Sequence, residues 1–318
     1  MRHSIAPGRP LRDGVLLLSL IALLVSMALP LRVDAAESEG EDALPAAVAA
    51  PNVRLGVLYG YLRLEKTESY SSITTSTLSI GHLEGHRGNA EIIGAFPIYG
   101  PVGGRAWLRG AYGHSQKSLD GLERGNNELS ILGLGGALLV RNPEVGEISA
   151  GGGWDRIARS GPIDANAYEA NVALSAFYPD MGLGPVDWRV DLQYRYTDVT
   201  GISGPVDYDA DHYFVSGEAG WYARPDLRIA LGGRWKRLEA EFSSETDSEG
   251  FVQVRTWLPR AWTFALPVEF SFGGSGGVSE YKQSPFRTDR RPVWTANVGF
   301  VFRYGSGATL LEAVRAYD

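Results

Sequence analysis

The stretch Val293 to Tyr304, VWTANVGFVFRY, decides the fold. Every second residue is apolar or aromatic: Trp294, Ala296, Val298, Phe300, Phe302 and Tyr304. The residues between them, Thr295, Asn297, Gly299, Val301 and Arg303, are mostly polar or small. Successive side chains of a strand point to opposite faces, so the pattern describes a strand with an apolar environment on one side only. A helix does not sort these residues so cleanly. Aromatic rings stand at both ends of the apolar face, where amphipathic rings favour the two interfaces of a membrane. The rings are about ten residues apart, and a tilted strand crosses a bilayer in roughly 9–11 residues, so the length fits a transmembrane strand. A half-buried strand of a soluble sandwich has the same period, and one strand alone does not separate the two.

The same alternation recurs along the chain. In VDWRVDLQYRY, Val186, Trp188, Val190, Leu192, Tyr194 and Tyr196 face one way, and Asp187, Arg189, Asp191, Gln193 and Arg195 face the other. Twelve strands are expected, near 53–64, 89–98, 105–116, 127–139, 147–157, 166–178, 186–198, 211–222, 227–240, 251–257, 262–272 and 293–304. Tight connections at Gly100–Gly104, Asn142–Gly146, Pro179–Pro185, Ala223–Asp226 and Leu258–Ala261 alternate with long ones at Glu65–Gly88, Lys117–Asn126, Arg159–Ala165, Thr200–Ala210, Ser243–Gly250 and Gly273–Pro292. A soluble sandwich has no reason to segregate short and long connections in strict turn, whereas bacterial outer-membrane barrels have short periplasmic turns and long extracellular loops. The aromatic residues Tyr59, Tyr61, Tyr168, Tyr178, Trp188, Tyr196, Tyr213, Trp221, Trp235, Trp262, Phe272, Trp294 and Tyr304 fall near strand ends on the apolar face, as two interfacial girdles would.

The beginning of the chain points the same way. Arg2, Arg9 and Arg12 precede the apolar run Val15–Leu29, which stops at Pro30, and Val33-x-Ala35 supplies a small-residue cleavage site, so residues 1–35 read as a secretory signal peptide. Residues 36–51, acidic and then Ala/Pro-rich, read as a periplasmic linker. Without residues 1–35 the chain holds 26 basic and 35 acidic residues, a poor balance for binding nucleic acid. The absence of cysteine excludes disulfides, thiolate metal sites, a cysteine nucleophile and a lipidated N-terminal cysteine. A mean hydropathy of −0.12 does not exclude a membrane, because barrels place apolar residues at alternate positions and escape hydropathy averages.

These features, together with Val298-x-Phe300-x-Phe302-x-Tyr304, resemble the Gram-negative outer-membrane β-barrel class over residues 52–304. The resemblance implies an all-β, antiparallel, porin-like transmembrane barrel, contact with outer-membrane lipids, and insertion by the outer-membrane assembly machinery. It also implies that the last strand ends the chain at an aromatic residue, whereas here residues 305–318 follow Tyr304. Leu310, Leu311, Val314 and Tyr317 have helical spacing, so this tail either frays or forms a short amphipathic helix that plugs the lumen or touches a partner.

If the apolar face meets lipid, the opposite face lines a lumen and carries the functional charges. By parity the acids there are Glu91, Glu147, Asp155, Glu169, Asp187, Asp191, Glu218 and Glu269. The bases are Arg109, Arg189, Arg195, Arg228, Arg234, Lys236, Arg255 and Arg303. An Arg or Lys at the bilayer midplane costs roughly 2–4 kcal/mol, which favours placing these groups inside. Bases crowd strands seven, nine and ten, and acids strands five, six and eight, which predicts opposed charged walls and a transverse field. The function this suggests is a narrow channel for small polar or zwitterionic solutes, with no cofactor and no resident metal. The alternative is a non-conducting structural, adhesive or assembly barrel whose interior is filled by ion pairs.

A hydrolase at the rim is the third reading, and its candidates are His212, Asp211 and His114. Alternate aspartates Asp207, Asp209 and Asp211 beside His212 resemble a carboxylate set for Ca²⁺ or, in the manner of omptin-like proteases, for activating water. Ser115 follows His114, but adjacent strand residues face opposite ways, which disfavours a nucleophile and base pair there. His82-x-x-x-His86 could hold a metal only if helical and lacks the Glu of a HExxH motif. The glycine-rich runs Gly133–Gly136 and Gly151–Gly153 have no P-loop Lys and read as aids to curvature and close packing.

Overall fold

The computed structural model describes residues 52–71, 76–119, 122–142, 146–159, 164–179, 182, 184–200, 208–240, 243–259, 263, 267–283, 287–304 and 310–311. For 61–84, 116–127, 159, 164, 200, 208, 283, 287–289 and 304 the description covers the backbone alone. Residues 1–51, and with them the expected signal peptide and linker, lie outside the described residues.

Twelve antiparallel strands form one closed meander: β1 (Asn52–Ser71), β2 (Ser76–Tyr99), β3 (Val102–Leu119), β4 (Leu122–Asn142), β5 (Gly146–Arg159), β6 (Asp164–Tyr178), β7 (Val186–Thr200), β8 (Tyr208–Arg224), β9 (Leu227–Ala240), β10 (Ser243–Trp257), β11 (Val268–Gln283) and β12 (Arg287–Tyr304). Each strand pairs with the next, and β12 closes on β1 from Val53↔Tyr304 to Leu64↔Val293. Closure gives every spanning backbone N–H and C=O a partner, the condition for crossing hydrocarbon with strands.

Burial is inverted relative to a water-soluble protein. Leu132, Leu134, Leu138, Leu231, Val252, Phe272, Trp294 and Phe300 are exposed on the outer face, whereas Arg303, Glu269, Asp155 and Arg228 are buried inside. On β12 the parity read from the sequence holds: Trp294, Ala296 and Phe300 are outward and Arg303 is inward with 1% exposure.

The strands overrun the length that a bilayer needs. Pairing of β1 with β2 continues to Ser71↔Ser76, and pairing of β10 with β11 to Ser243↔Gln283. Most of the stretches expected as long connections, Glu65–Gly88, Lys117–Asn126, Ser243–Gly250 and Gly273–Pro292, are therefore hairpin extensions of the strands. In Ser243–Gly250 the sequence is polar at both parities, so the period of two carries no hydropathy contrast there, although the backbone pairs on both sides. At the opposite end the turns are short, as at Gly100–Pro101, where Gly100 takes φ +47° and spares the turn a Cβ clash. One turn there is longer than expected. Strand β11 starts at Val268 rather than near residue 262, because the proline at 267 has no N–H to give to a ladder, and Leu258 N–H bonds across the gap to Val268 O at 2.8 Å. Trp262 lies outside the described residues.

Candidate functional site: the charged interior

Inward parity gathers the charged side chains into local clusters. In the middle of the barrel Arg109 on β3 makes a bidentate pair with Asp155 on β5 (2.9 and 2.7 Å) and reaches Glu169 on β6 at 2.5 Å. Arg195 on β7 approaches Asp155 at 2.7 Å, and Gln193 donates to Glu169 at 2.8 Å. Nearer the short turns, Arg228 on β9 binds Asp187 on β7 and Glu218 on β8, and Tyr222 donates to Asp187 at 2.7 Å. Beside it Glu269 on β11 holds Arg255 at 2.5 Å and Arg303 at 2.8 Å. Toward the long hairpins Arg234 and Ser275 converge on Glu249, with Thr295 hydrogen-bonded to Ser275 at 2.6 Å. Lys236 stands 3.7 Å from Glu249, and Arg189 pairs with Asp191 on its own strand at 2.9 Å. Hydrogen-bonded charge pairs of this kind recover part of the cost of taking each ion out of water.

The opposed walls expected from the sequence are not present. The acids of β5 and β6 are matched by bases of β3 and β7, and Glu218 of β8 by Arg228 of β9, so acids and bases interleave around the circumference. Strand-by-strand charge counts miss this because partners are chosen by register and reach across neighbouring strands, as the span from Arg109 to Asp155 shows. Four members of the network escape the sequence reading for a second reason. Glu245, Asp247 and Glu249 were assigned to a connection, yet they belong to β10, and Arg87 belongs to β2 rather than to a loop. Arg105, which pairs with Glu147 at 3.2 Å, shares the parity of Arg109, and that signal was available.

Two glycines make room for these pairs. A Cβ at Gly133 would overlap the Asp155 carboxylate, and one at Gly220 would overlap both Arg228 Nε and Asp187 Oδ1. Gly220→Ala should therefore destabilise the barrel by about 1–3 kcal/mol through overpacking, read as a lower urea midpoint in lipid vesicles. An unchanged midpoint would show that the pair can move aside.

Three cavities lie among the clusters. One of about 250 Å³ near the short turns is lined by Arg54, Glu147, Asp187, Arg189 and Arg255. One of about 580 Å³ in the middle is lined by Arg87, Glu91, Arg109, Gln193, Arg195 and Arg255. One of about 440 Å³ toward the long hairpins is lined by Arg87, Gln193, Arg195, His212, Lys236 and Asp247. Arg255 borders the first and second, and Arg87, Gln193 and Arg195 border the second and third. Successive cavities thus share arginine side chains in their linings.

The aromatic positions sort into two levels. Tyr178, Trp188 and Trp221 lie at the short-turn end, where Val186 pairs with both Tyr178 and Trp221. Tyr196 pairs with Tyr168, Tyr194 with Tyr213, and Trp235 with Val215, all toward the long hairpins, as is Trp294 opposite Gly276. Tyr304 closes the lower edge by pairing with Val53, its side chain outside the description.

The hydrolase candidates are not brought together. Asp211 accepts a hydrogen bond from Tyr194 at 2.6 Å on the outer face, whereas His212, one residue on, lies inside, 3.3 Å from Thr197. His114 pairs in register with His86 on the outer face, and Ser115 is inward. His82 and His86 sit on a strand, where positions four apart are about 13 Å from each other. Among the described residues no group of three His, Asp or Glu side chains converges as metal ligands would.

At the short-turn mouth the tail is not frayed at Leu310. This residue is helical and fully buried against Phe177, Tyr222 and Trp257, and the Leu311 N–H donates to Pro225 O at 2.9 Å.

No protein-family model and no curated protein matches the sequence. Among solved structures, an outer-membrane channel from Pseudomonas putida F1 superposes with a TM-score of 0.52 at 14% identity, covering 84% of this chain and 100% of that one. The β domain of the Bordetella autotransporter BrkA gives a TM-score of 0.44 at 10% identity, covering 78% and 98%. The translocator domain of the Neisseria meningitidis autotransporter NalP gives 0.43 at 10% identity, covering 90% and 97%. By fold the chain is a twelve-stranded outer-membrane β-barrel.

Proposed function

We propose that this barrel is a narrow channel of the outer membrane for small polar or zwitterionic solutes. It is exported by a cleaved signal peptide and inserted by the assembly machinery, with both termini and the short turns on the periplasmic side and the long hairpins outside. The observation that supports the reading is the series of three cavities whose linings carry charged side chains, with Arg255 shared by the first two and Arg87 and Arg195 by the second and third. Arginine and lysine side chains are long and can swing, so they narrow a path that a small solute can cross by exchanging hydrogen bonds with one cluster after another. Interleaved acids and bases offer partners to both ends of a zwitterion and hold back large apolar molecules.

In planar bilayers the pure folded protein should give small discrete conductance steps, and their absence would leave the non-conducting barrel as the better reading. Arg87 and Lys236 are the bases to change. Arg87 Nε donates to Asn89 at 2.7 Å, and Lys236, with its side chain 42% exposed, pairs with Glu249 at 3.7 Å without the bidentate hydrogen bonds that hold Arg109 on Asp155. Arg87→Glu with Lys236→Glu should leave folding intact and move the reversal potential in a salt gradient toward cation preference. An unmoved potential would take these residues off the conduction path.

A further inference from the structure

We propose that Leu310 and Leu311 form a stopper at the short-turn mouth, with Leu310 as its plug. The inference rests on the channel reading for its purpose, though the geometry stands without it. The interior of the barrel is charged at nearly every level, but at this mouth it presents three rings. Phe177 is the last residue but one of β6, Tyr222 lies two residues before the end of β8 and Trp257 ends β10, each an even number of positions from an inward charge, Glu169, Glu218 and Arg255 respectively. All three are nearly buried, at 8%, 2% and 9% exposure, and Leu310 between them is at 0%. Apolar side chains facing a lumen hold water poorly, and a leucine seated against them narrows the mouth further.

Two fastenings fix the plug. Leu311 packs on the same cluster and its N–H donates to Pro225 O in the turn between β8 and β9. The seat is tied to the nearest ion pair, since Tyr222 donates to Asp187, which also holds Arg228. Phe177 and Tyr222 meet edge to face with centroids 6.4 Å apart, which keeps the seat in shape. Among the described residues the stopper is held by Leu310, Leu311 and one main-chain bond, so it can release without unfolding the barrel.

The test uses full-length chains in two measurements. In planar bilayers Leu310→Gly should raise the conductance step at least about two-fold or remove brief closures, Trp257→Ala should do the same from the seat, and Leu310→Met should behave as the parent does. Steps and closures unchanged in both Leu310→Gly and Trp257→Ala would overturn the stopper while leaving the channel in place. The second readout does not depend on conduction. The chain has no cysteine, so a single thiol placed by Ser175→Cys reports access to the cavity behind the plug. In detergent, labelling of that thiol by a water-soluble methanethiosulfonate should be at least about ten-fold faster with Leu310→Gly than without it. Equal rates would overturn the stopper even if the barrel never conducts. Absence of steps in every folded variant, combined with the faster labelling, would retain the stopper and reject the channel.

Discussion

Replacing Glu269 by alanine should cost the barrel about 3–5 kcal/mol, the loss expected when one partner of a buried ion pair is removed and the others remain. Glu269 is 1% exposed and is shared by Arg255 at 2.5 Å and Arg303 at 2.8 Å, and Arg303 is itself 1% exposed. After the change two guanidinium groups remain in a confined space with no carboxylate between them. Asp155 also serves two arginines, but the side chains of Arg109 and Arg195 are 28% and 22% exposed toward the central cavity, so water can take over part of its role. Asp155→Ala should therefore be the milder change, by about 1 kcal/mol or more. Urea midpoints measured in lipid vesicles order the two. If Asp155→Ala proved the more damaging, burial would not be what sets the strength of these clusters. Arg303→Met should also be mild, since Glu269 then keeps Arg255.

Leu134→Arg should destabilise the barrel by about 2–4 kcal/mol, although Leu134 is 54% exposed and touches little protein on its outer side. At the surface of a water-soluble protein the same change falls within roughly ±0.5 kcal/mol. The difference arises because this exposure is toward hydrocarbon, where a guanidinium has no solvent. The cost depends on depth. Ser130, also outward on β4 but closer to the long hairpins, should accept arginine for about 0–1 kcal/mol, because the side chain can reach headgroups there. Equal and negligible costs at both positions would mean that the apolar outer face meets water.

How much of this was legible in the sequence depended on where hydropathy contrast survives. The closing strand, the number of strands and the inward parity of Asp187, Glu218 and Arg228 follow from a period of two, which needs only an apolar face to be seen. The upper parts of β2, β10 and β11 have no such face, so Arg87 and Glu249 were missed with them. The start of β11 differs from the expected one at Pro267, which has no N–H to give to the ladder. The partners of Arg109 and Arg303 could not be read at all, because they are set by the stagger of neighbouring strands. The seat of Leu310 was hidden for a related reason: its three rings come from β6, β8 and β10, and only closure of the barrel brings them to one point.

Which face of each strand meets lipid and which encloses the lumen is tested most directly on β12. With no native cysteine, single thiols at Thr295, Ala296, Asn297 and Phe300 can be spin-labelled one at a time in vesicles. Labels at Ala296 and Phe300, which face outward, should collide with oxygen dissolved in the bilayer and be shielded from a water-soluble nickel chelate, and those at Thr295 and Asn297 should show the reverse. An accessibility profile without this alternation, or with its phase inverted, would contradict the barrel's inside and outside as assigned here.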